Sequence, residues 1–304
     1  MSWFAVAIIP PILYAVGNYI DKALLSKQLK GGGVGTILIF SCFLGALTLP
    51  IVYFLGPNVF AINPITAFIL SINGSLTVLA VLFYLYAIEH DEITTVVPIL
   101  QLTPVFGFLT GYIFLGETLN LYQTIGSLAI VIGAIIISFD ISEGGQLTIK
   151  KKVLILTAMS ALVFSISGTI FKLFALDEGY WRTQFWEYAG IAIFGLILFL
   201  FVSNYRKSFL ALFSRNKKAA IGLNILAETV MVSADLVMNF ATLLAPVVLI
   251  YVVNSFQPVF VFILGIALTL MFPRFIKESL SKKHVAQKVV TIFIMVIGLV
   301  MLYH

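Results

Sequence analysis

The sequence predicts an all-α integral membrane protein of ten transmembrane helices, arranged as two inverted five-helix repeats. Three observations predict it. The chain of 304 residues is 61% apolar and only 10% charged, whereas soluble domains carry about 25% charged residues. Its apolar residues fall in ten long runs, and a helix needs about 20 such residues to cross the hydrocarbon core. The two halves of the chain also resemble each other, and five spans is an odd number.

The ten runs are 3–24, 36–56, 65–88, 93–115, 121–139, 153–175, 183–203, 219–241, 246–271 and 287–303. They are too long and too uniformly apolar for barrel strands, which alternate over about ten residues. The opening MSWF has neither a basic segment nor a small-residue cleavage site, so the first run reads as a retained span. That span carries Pro10 and Pro11, which remove backbone donors and favour a kink, then Asn18, Asp21 and Lys22. The single cysteine, Cys42, excludes an intrachain disulfide.

Walking the connections alternately places sixteen of the eighteen Lys and Arg residues on one side, leaving Lys172 and Arg182 on the other. Cytoplasmic loops collect Lys and Arg, which predicts both termini outside. The same distribution accounts for the net charge of +5 without nucleic acid as a partner.

At an offset of 154 residues, Pro104-Val105-Phe106 matches Pro258-Val259-Phe260, Phe108 matches Phe262 and Gly111 matches Gly265; after a longer loop, Val131-Ile132-Gly133 matches Val296-Ile297-Gly298. Residues 1–139 read as the first repeat, 140–152 as a cytoplasmic linker and 153–304 as the second. With five spans each, the second copy must enter from the opposite face, an architecture that places a substrate site where the halves meet.

Pro98, Pro104, Gly111, the Gly116-Glu117 pair ending span four, Gly126 and Gly133, with lysines near the ends of spans one and six, resemble the EamA family of the drug/metabolite transporter superfamily. The resemblance covers nearly the whole chain. It implies an inverted-repeat carrier of small metabolites, with a cavity lined mainly by spans 1, 3, 4, 6, 8 and 9 and their neighbours. Two departures stand out. Leu270-Met271 occupies the second-half position of Gly116-Glu117, and the better-known members keep both termini in the cytoplasm, against the charge distribution here.

The strongest candidates for chemistry lie in LAETVMVSADLVMNF, residues 226–240. A charged residue at bilayer depth is unfavourable by about 2.5–3.5 kcal/mol. Glu228 and Asp235 are seven residues apart, nearly two turns and roughly 10 Å along a helix, so they share a face. Asn224 and Asn239 extend the stripe. Such a stripe must face protein or water. It reads either as a cavity wall, with Glu228 as a proton-coupling or cation-binding group and Asp235 as a second site, or as a packing device. Asn18, Asn73, Gln101 and Asn254 are further substrate-binding candidates, with Glu187 a weaker coupling candidate. Gln101 and Asn254 adjoin prolines, where broken helices expose carbonyls. Asp21, Lys22, Lys172 and Glu117 read as gating or structural residues.

EHDE (89–92) reads as solvated charge, and GGGVG (31–35) lacks the Gly-Lys-Ser/Thr ending of a phosphate loop. Neither a metal, a cofactor nor an enzymatic triad is expected. The expected protein is a secondary active transporter, a monomer or weak homodimer in a prokaryotic cytoplasmic membrane. Its cargo is a small polar metabolite, cationic or zwitterionic, with protons as candidate coupling ions and lipids as neighbours. The alternative is a flippase for lipids or polyprenyl-linked sugars.

Overall fold

The computed structural model describes residues 3–24, 33–90, 96, 99–138, 151–214, 218–271 and 282–302. Pro98, the linker stretch 139–150 and the lysine-bearing loops 25–32 and 272–281 lie outside them, as do Asp91 and Glu92 of EHDE and the first two glycines of GGGVG. All regular structure among the described residues is helical. Seven helices are long and apolar enough to cross a membrane, and three shorter apolar helices cover Thr103–Leu115, Leu121–Ile136 and Lys288–Met301.

The first expected span is two helices, α1 (Trp3–Ala7) and α2 (Ile9–Ala23), joined through Ile8. Pro10 lies in the first turn of α2, where a missing N–H leaves no helical bond unmade. Then come α3 (Gly33–Leu55), α4 (Pro64–His90), α5 (Thr103–Leu115) and α6 (Leu121–Ser138). The second half is α7 (Lys151–Glu178), α8 (Tyr180–Phe201), α9 (Ser203–Ser214), α10 (Lys218–Thr242), α11 (Val247–Asn254), α12 (Gln257–Met271) and α13 (Lys282–Met301). Helix α7 starts at Lys151, inside the stretch expected as linker.

The helix breaks in the two halves share the 154-residue offset of the sequence match. A turn at Gln101-Leu102 precedes α5, and a turn at Ser255-Phe256 separates α11 from α12; both pairs are 154 residues apart. In each case the proline, Pro104 or Pro258, is the second residue of the helix that follows, so its absent N–H falls at a helix start. Side chains satisfy part of what the breaks release: the Thr103 hydroxyl donates to the Leu100 carbonyl at 2.7 Å and the Ser255 hydroxyl to the Tyr251 carbonyl at 3.2 Å.

Corresponding helices of the two halves pack antiparallel. Along α3 and α8, Gly45 meets Ile191 while Cys42 meets Gly195. Along α6 and α13, Gly126 meets Gly298 while Gly133 meets Met295. Helix α2 lies on α10 and α4 lies on α7. Helices in lipid gain no hydrophobic drive from each other and rely on small residues for close packing. The tightest approach is between α4 and α8: a Cβ on Gly190 would overlap the Ser71 carbonyl, and one on Gly74 the Glu187 carbonyl. Leu121, Ile125, Leu128 and Ile132 on α6, with Val289, Phe293, Ile297 and Val300 on α13, form an outward apolar surface suited to acyl chains.

Helix α9 was not anticipated, because Arg206, Lys207 and Arg215 made residues 204–218 read as a basic loop. Its aromatic side chains anchor it. Phe209 is buried against Phe40, Phe43 and Phe199, and the Tyr205 hydroxyl bonds that of Tyr86. The side chain of Tyr205 also fills the space above Gly35.

Candidate functional site

Where the two halves meet is a cavity of about 290 Å³. It is lined from eight of the ten expected spans, numbers 5 and 10 excepted. Spans 2 and 7, through α3 and α8, take a larger share than the family resemblance implied. Each wall follows helical spacing. On α10 it is Glu228, Met231, Val232, Asp235, Met238 and Asn239; on α8 it is Gln184, Glu187, Tyr188 and Ile191. Residues three and four apart share a helix face, so one polar stripe per helix converges on the cavity.

Four carboxyl groups line this space, those of Asp21, Glu187, Glu228 and Asp235, and among the described residues no Lys or Arg does. Each of the deeper three has a partner from another helix. The Tyr14 hydroxyl on α2 donates to Asp235 Oδ1 at 2.5 Å. The Ser41 hydroxyl on α3 donates to Glu228 Oε1. Glu187 is the most elaborately held: Asn73 Nδ2 donates to Oε1 at 3.1 Å, Asn239 Nδ2 to Oε2 at 3.1 Å, and the Thr77 hydroxyl adds a long contact at 3.5 Å. Asn239 also donates to Gln184 Oε1 at 3.1 Å, and Thr77 and Ser167 share a bond of 2.7 Å. A buried charge or polar group is tolerated only with such partners, and here every partner bridges helices. The acids also feel one another: Asp235 is within electrostatic reach of Glu187 and Glu228, and Glu228 of Asp21.

Of the residues expected to bind substrate or couple, the structure brings Asn18, Gln101, Glu187, Glu228, Asp235, Asn239 and Asn254 to the cavity. Asn73 and Asn224 are not on its wall. Asn73 is 1% exposed and holds Glu187 and the Ser167 carbonyl from behind, so it positions a wall residue instead of forming one. Asn224 continues the α10 stripe one turn before Glu228 and is itself fully buried. Glu187, the weaker coupling candidate by sequence, sits at the centre of the largest polar network. Asp21 lines the cavity near the end of α2.

Lys172 and Glu117 lie away from the cavity and hold each other. Lys172 Nζ is 2.5 Å from Glu117 Oε1 and donates to the Ala245 carbonyl at 2.7 Å, while Glu117 Oε2 accepts from the Val247 N–H at 2.7 Å, at the start of α11. A carboxylate suits a helix N-terminus. Gly116 makes the turn possible with φ of 65°, a conformation glycine adopts without strain. The pair therefore braces α5, α7 and α11, a structural use of both residues, and Lys172 is not on the cavity wall. The side chain of Lys22 lies outside the described residues. Arg182 stands 4.0 Å from Glu178. His90 contacts the Tyr86 carbonyl and Lys152, each at 2.8 Å.

Sequence reasoning missed Ser41, Thr77, Ser167, Gln184, Tyr188 and Tyr251 as wall residues. For α8 a signal existed: Gln184, Glu187 and Tyr188 share one face. For Ser41 and Ser167 none did, since hydroxyls are ordinary in apolar helices.

The first 139 residues match the EamA-like transporter family. A comparison with curated protein sequences returns no match. Among 27 matching chains of solved structures is a crystal structure described only as that of a protein. It has TM-score 0.62 and 17% identity, and the alignment covers 98% of this chain and 94% of that one. At that identity the likeness speaks for the fold, over essentially the full length of both chains. The motifs quoted for the first half, Pro104, Gly111, Gly116-Glu117, Gly126 and Gly133, all fall inside the matched segment. Residues 1–139 are therefore an EamA-like transporter family segment, of the drug/metabolite transporter superfamily, carried by a helical integral membrane protein.

Proposed function

We propose that this chain is a secondary active transporter that moves a small cationic or zwitterionic metabolite by alternating access, with protons as the coupling ion. The observation that carries the reading is the cavity itself: four carboxyl groups from α2, α8 and α10 line it, unopposed by any Lys or Arg among the described residues. A space of about 290 Å³ is at the low end for ligand pockets and matches a compact solute better than a lipid headgroup with its linkage. Two inverted five-helix repeats fit the antiparallel pairing of α3 with α8 and α6 with α13, and the helix breaks 154 residues apart. Two similar halves of opposite orientation make two similar end states, one open to each side, which is the physical basis of alternating access. In such a cycle Glu228 and Asp235 exchange protons for cargo on α10. Glu187 holds the far wall through Asn73 and Asn239.

Thermal unfolding of the purified full-length protein against amino acids, amines, sugars, organic acids and lipids tests the reading. A solute at a hundred times its dissociation constant stabilises by about 2.7 kcal/mol. A cationic solute is expected to stabilise the parent, and Glu228→Gln or Asp235→Asn to abolish that response. Because a cation competes with protons for carboxylates, the response is expected to grow as pH rises. Stabilisation by lipids alone, with variants indistinguishable from the parent, would remove the carrier reading.

A further inference from the structure

Tyr188 has no role in the reading above, yet it is an anomalous polar group on the cavity wall. Its side chain is 2% exposed and lines the cavity, and its hydroxyl has no hydrogen-bond partner among the described residues. Most hydroxyls on the wall have partners: Tyr14 bonds Asp235, Ser41 bonds Glu228, Thr77 bonds Ser167, and Tyr251 donates to the Phe164 carbonyl at 3.2 Å. A buried hydroxyl left without a partner is unfavourable, and a ligand that supplies one removes the deficit.

The surroundings say which kind of ligand. Asp235 is the strongest electrostatic neighbour of the Tyr188 hydroxyl, with Glu187 and Glu228 also within reach. Glu187 already accepts from both asparagines. Among the described residues Asp235 accepts only from Tyr14, through Oδ1, which leaves Oδ2 for an incoming donor. The Asn254 side-chain oxygen, on the same wall, is likewise without a partner. Asp235 Oδ2 and the Asn254 side-chain oxygen can only accept, and the Tyr188 oxygen, which also carries a proton, offers its lone pairs beside them. An alkylammonium group, with one positive charge and three N–H donors, fits that demand. A quaternary ammonium carries the charge without donors, and a carboxylate carries neither.

We propose that Tyr188 and Asp235 form the recognition point for a cargo ammonium group that bears N–H donors, with Tyr188 setting the preference for primary over fully alkylated amines. This rests on the cationic-cargo reading above.

The test uses the detergent-purified full-length protein titrated with n-butylammonium, tetramethylammonium and n-butyrate. The parent is expected to bind n-butylammonium at least about tenfold more tightly than tetramethylammonium, the equivalent of one hydrogen bond to a charged group, and not to bind butyrate. Tyr188→Phe, which keeps the ring, is expected to weaken n-butylammonium about tenfold while leaving tetramethylammonium unchanged. Equal binding of the two cations by the parent overturns the proposal, as does a Tyr188→Phe protein that binds n-butylammonium like the parent. If Tyr188→Phe does not fold, the parent alone decides through mono-, di-, tri- and tetramethylammonium: affinity must fall as N–H donors are removed, and a flat or rising series overturns the assignment. Absence of binding by any cation sinks the cationic-cargo reading with it; binding of both cations alike sinks only Tyr188.

Discussion

Lys172→Met is expected to lower the stability of the folded protein by about 3–5 kcal/mol, the range for breaking a buried ion pair from one side. The methionine fills much of the volume of the lysine stem, so little of the loss comes from packing. It comes from Glu117, whose side chain is only 12% exposed and whose remaining hydrogen bond in the structure is the Val247 N–H. Removing both charges behaves differently, because the desolvation of each ion disappears with it. Lys172→Met combined with Glu117→Gln is expected to recover most of the loss, since the new amide still accepts from Val247. The check is a double-mutant cycle on thermal midpoints in one detergent. A single variant as stable as the parent, or a double variant as poor as the sum of the singles, would show that the pair does not brace α5, α7 and α11.

Gly190→Ala is expected to destabilise by about 1–3 kcal/mol or more, in the manner of an overpacked core. The added Cβ overlaps the Ser71 carbonyl oxygen, a backbone atom that cannot rotate away. The helices must then separate, and the separation carries Glu187 away from Asn73. Loss of ligand response should therefore accompany the loss of stability. Gly222→Ala is the control. It lies in α10 with nothing within 4 Å of the added Cβ, and replacing an unconstrained helical glycine stabilises by about 0.5–1 kcal/mol. Opposite signs for two Gly→Ala changes in spanning helices would place the effect in the α4–α8 approach. A Gly190→Ala protein with the melting temperature and ligand response of the parent would contradict it.

The helices were legible because their cause is local. A run of apolar residues of membrane-crossing length must hydrogen-bond its own backbone in lipid, and ten such runs are visible in one dimension. The breaks before α5 and α12 were legible for the same reason, since a proline dictates them wherever the chain goes. Glu228, Asp235 and Asn239 could be placed on one wall because seven and four residues are near-multiples of a helical turn. Apart from the lysine of span six, the motifs that carried the family resemblance lie inside residues 1–139, where the family match also falls.

What the sequence left open depends on distances between helices. Asn73 and Asn254 are both asparagines in apolar helices, yet one stands behind Glu187 and the other faces the cavity. Lys172 and Glu117 are 55 residues apart, and only the packing of α5 against α7 turns two gating or structural candidates into one ion pair. Helix α9 was hidden because its charges belong to a loop pattern, while Phe209 finds its partners on α3 and α8. The importance of Glu187 and the unpaired hydroxyl of Tyr188 likewise follow from what surrounds them. Chain-local hydrogen bonding and periodicity therefore determined the spanning helices and their polar stripes. Which stripe faces another, and which polar group among the described residues is left without a partner, was decided by helix–helix packing, where small residues such as Gly74 and Gly190 set the approach.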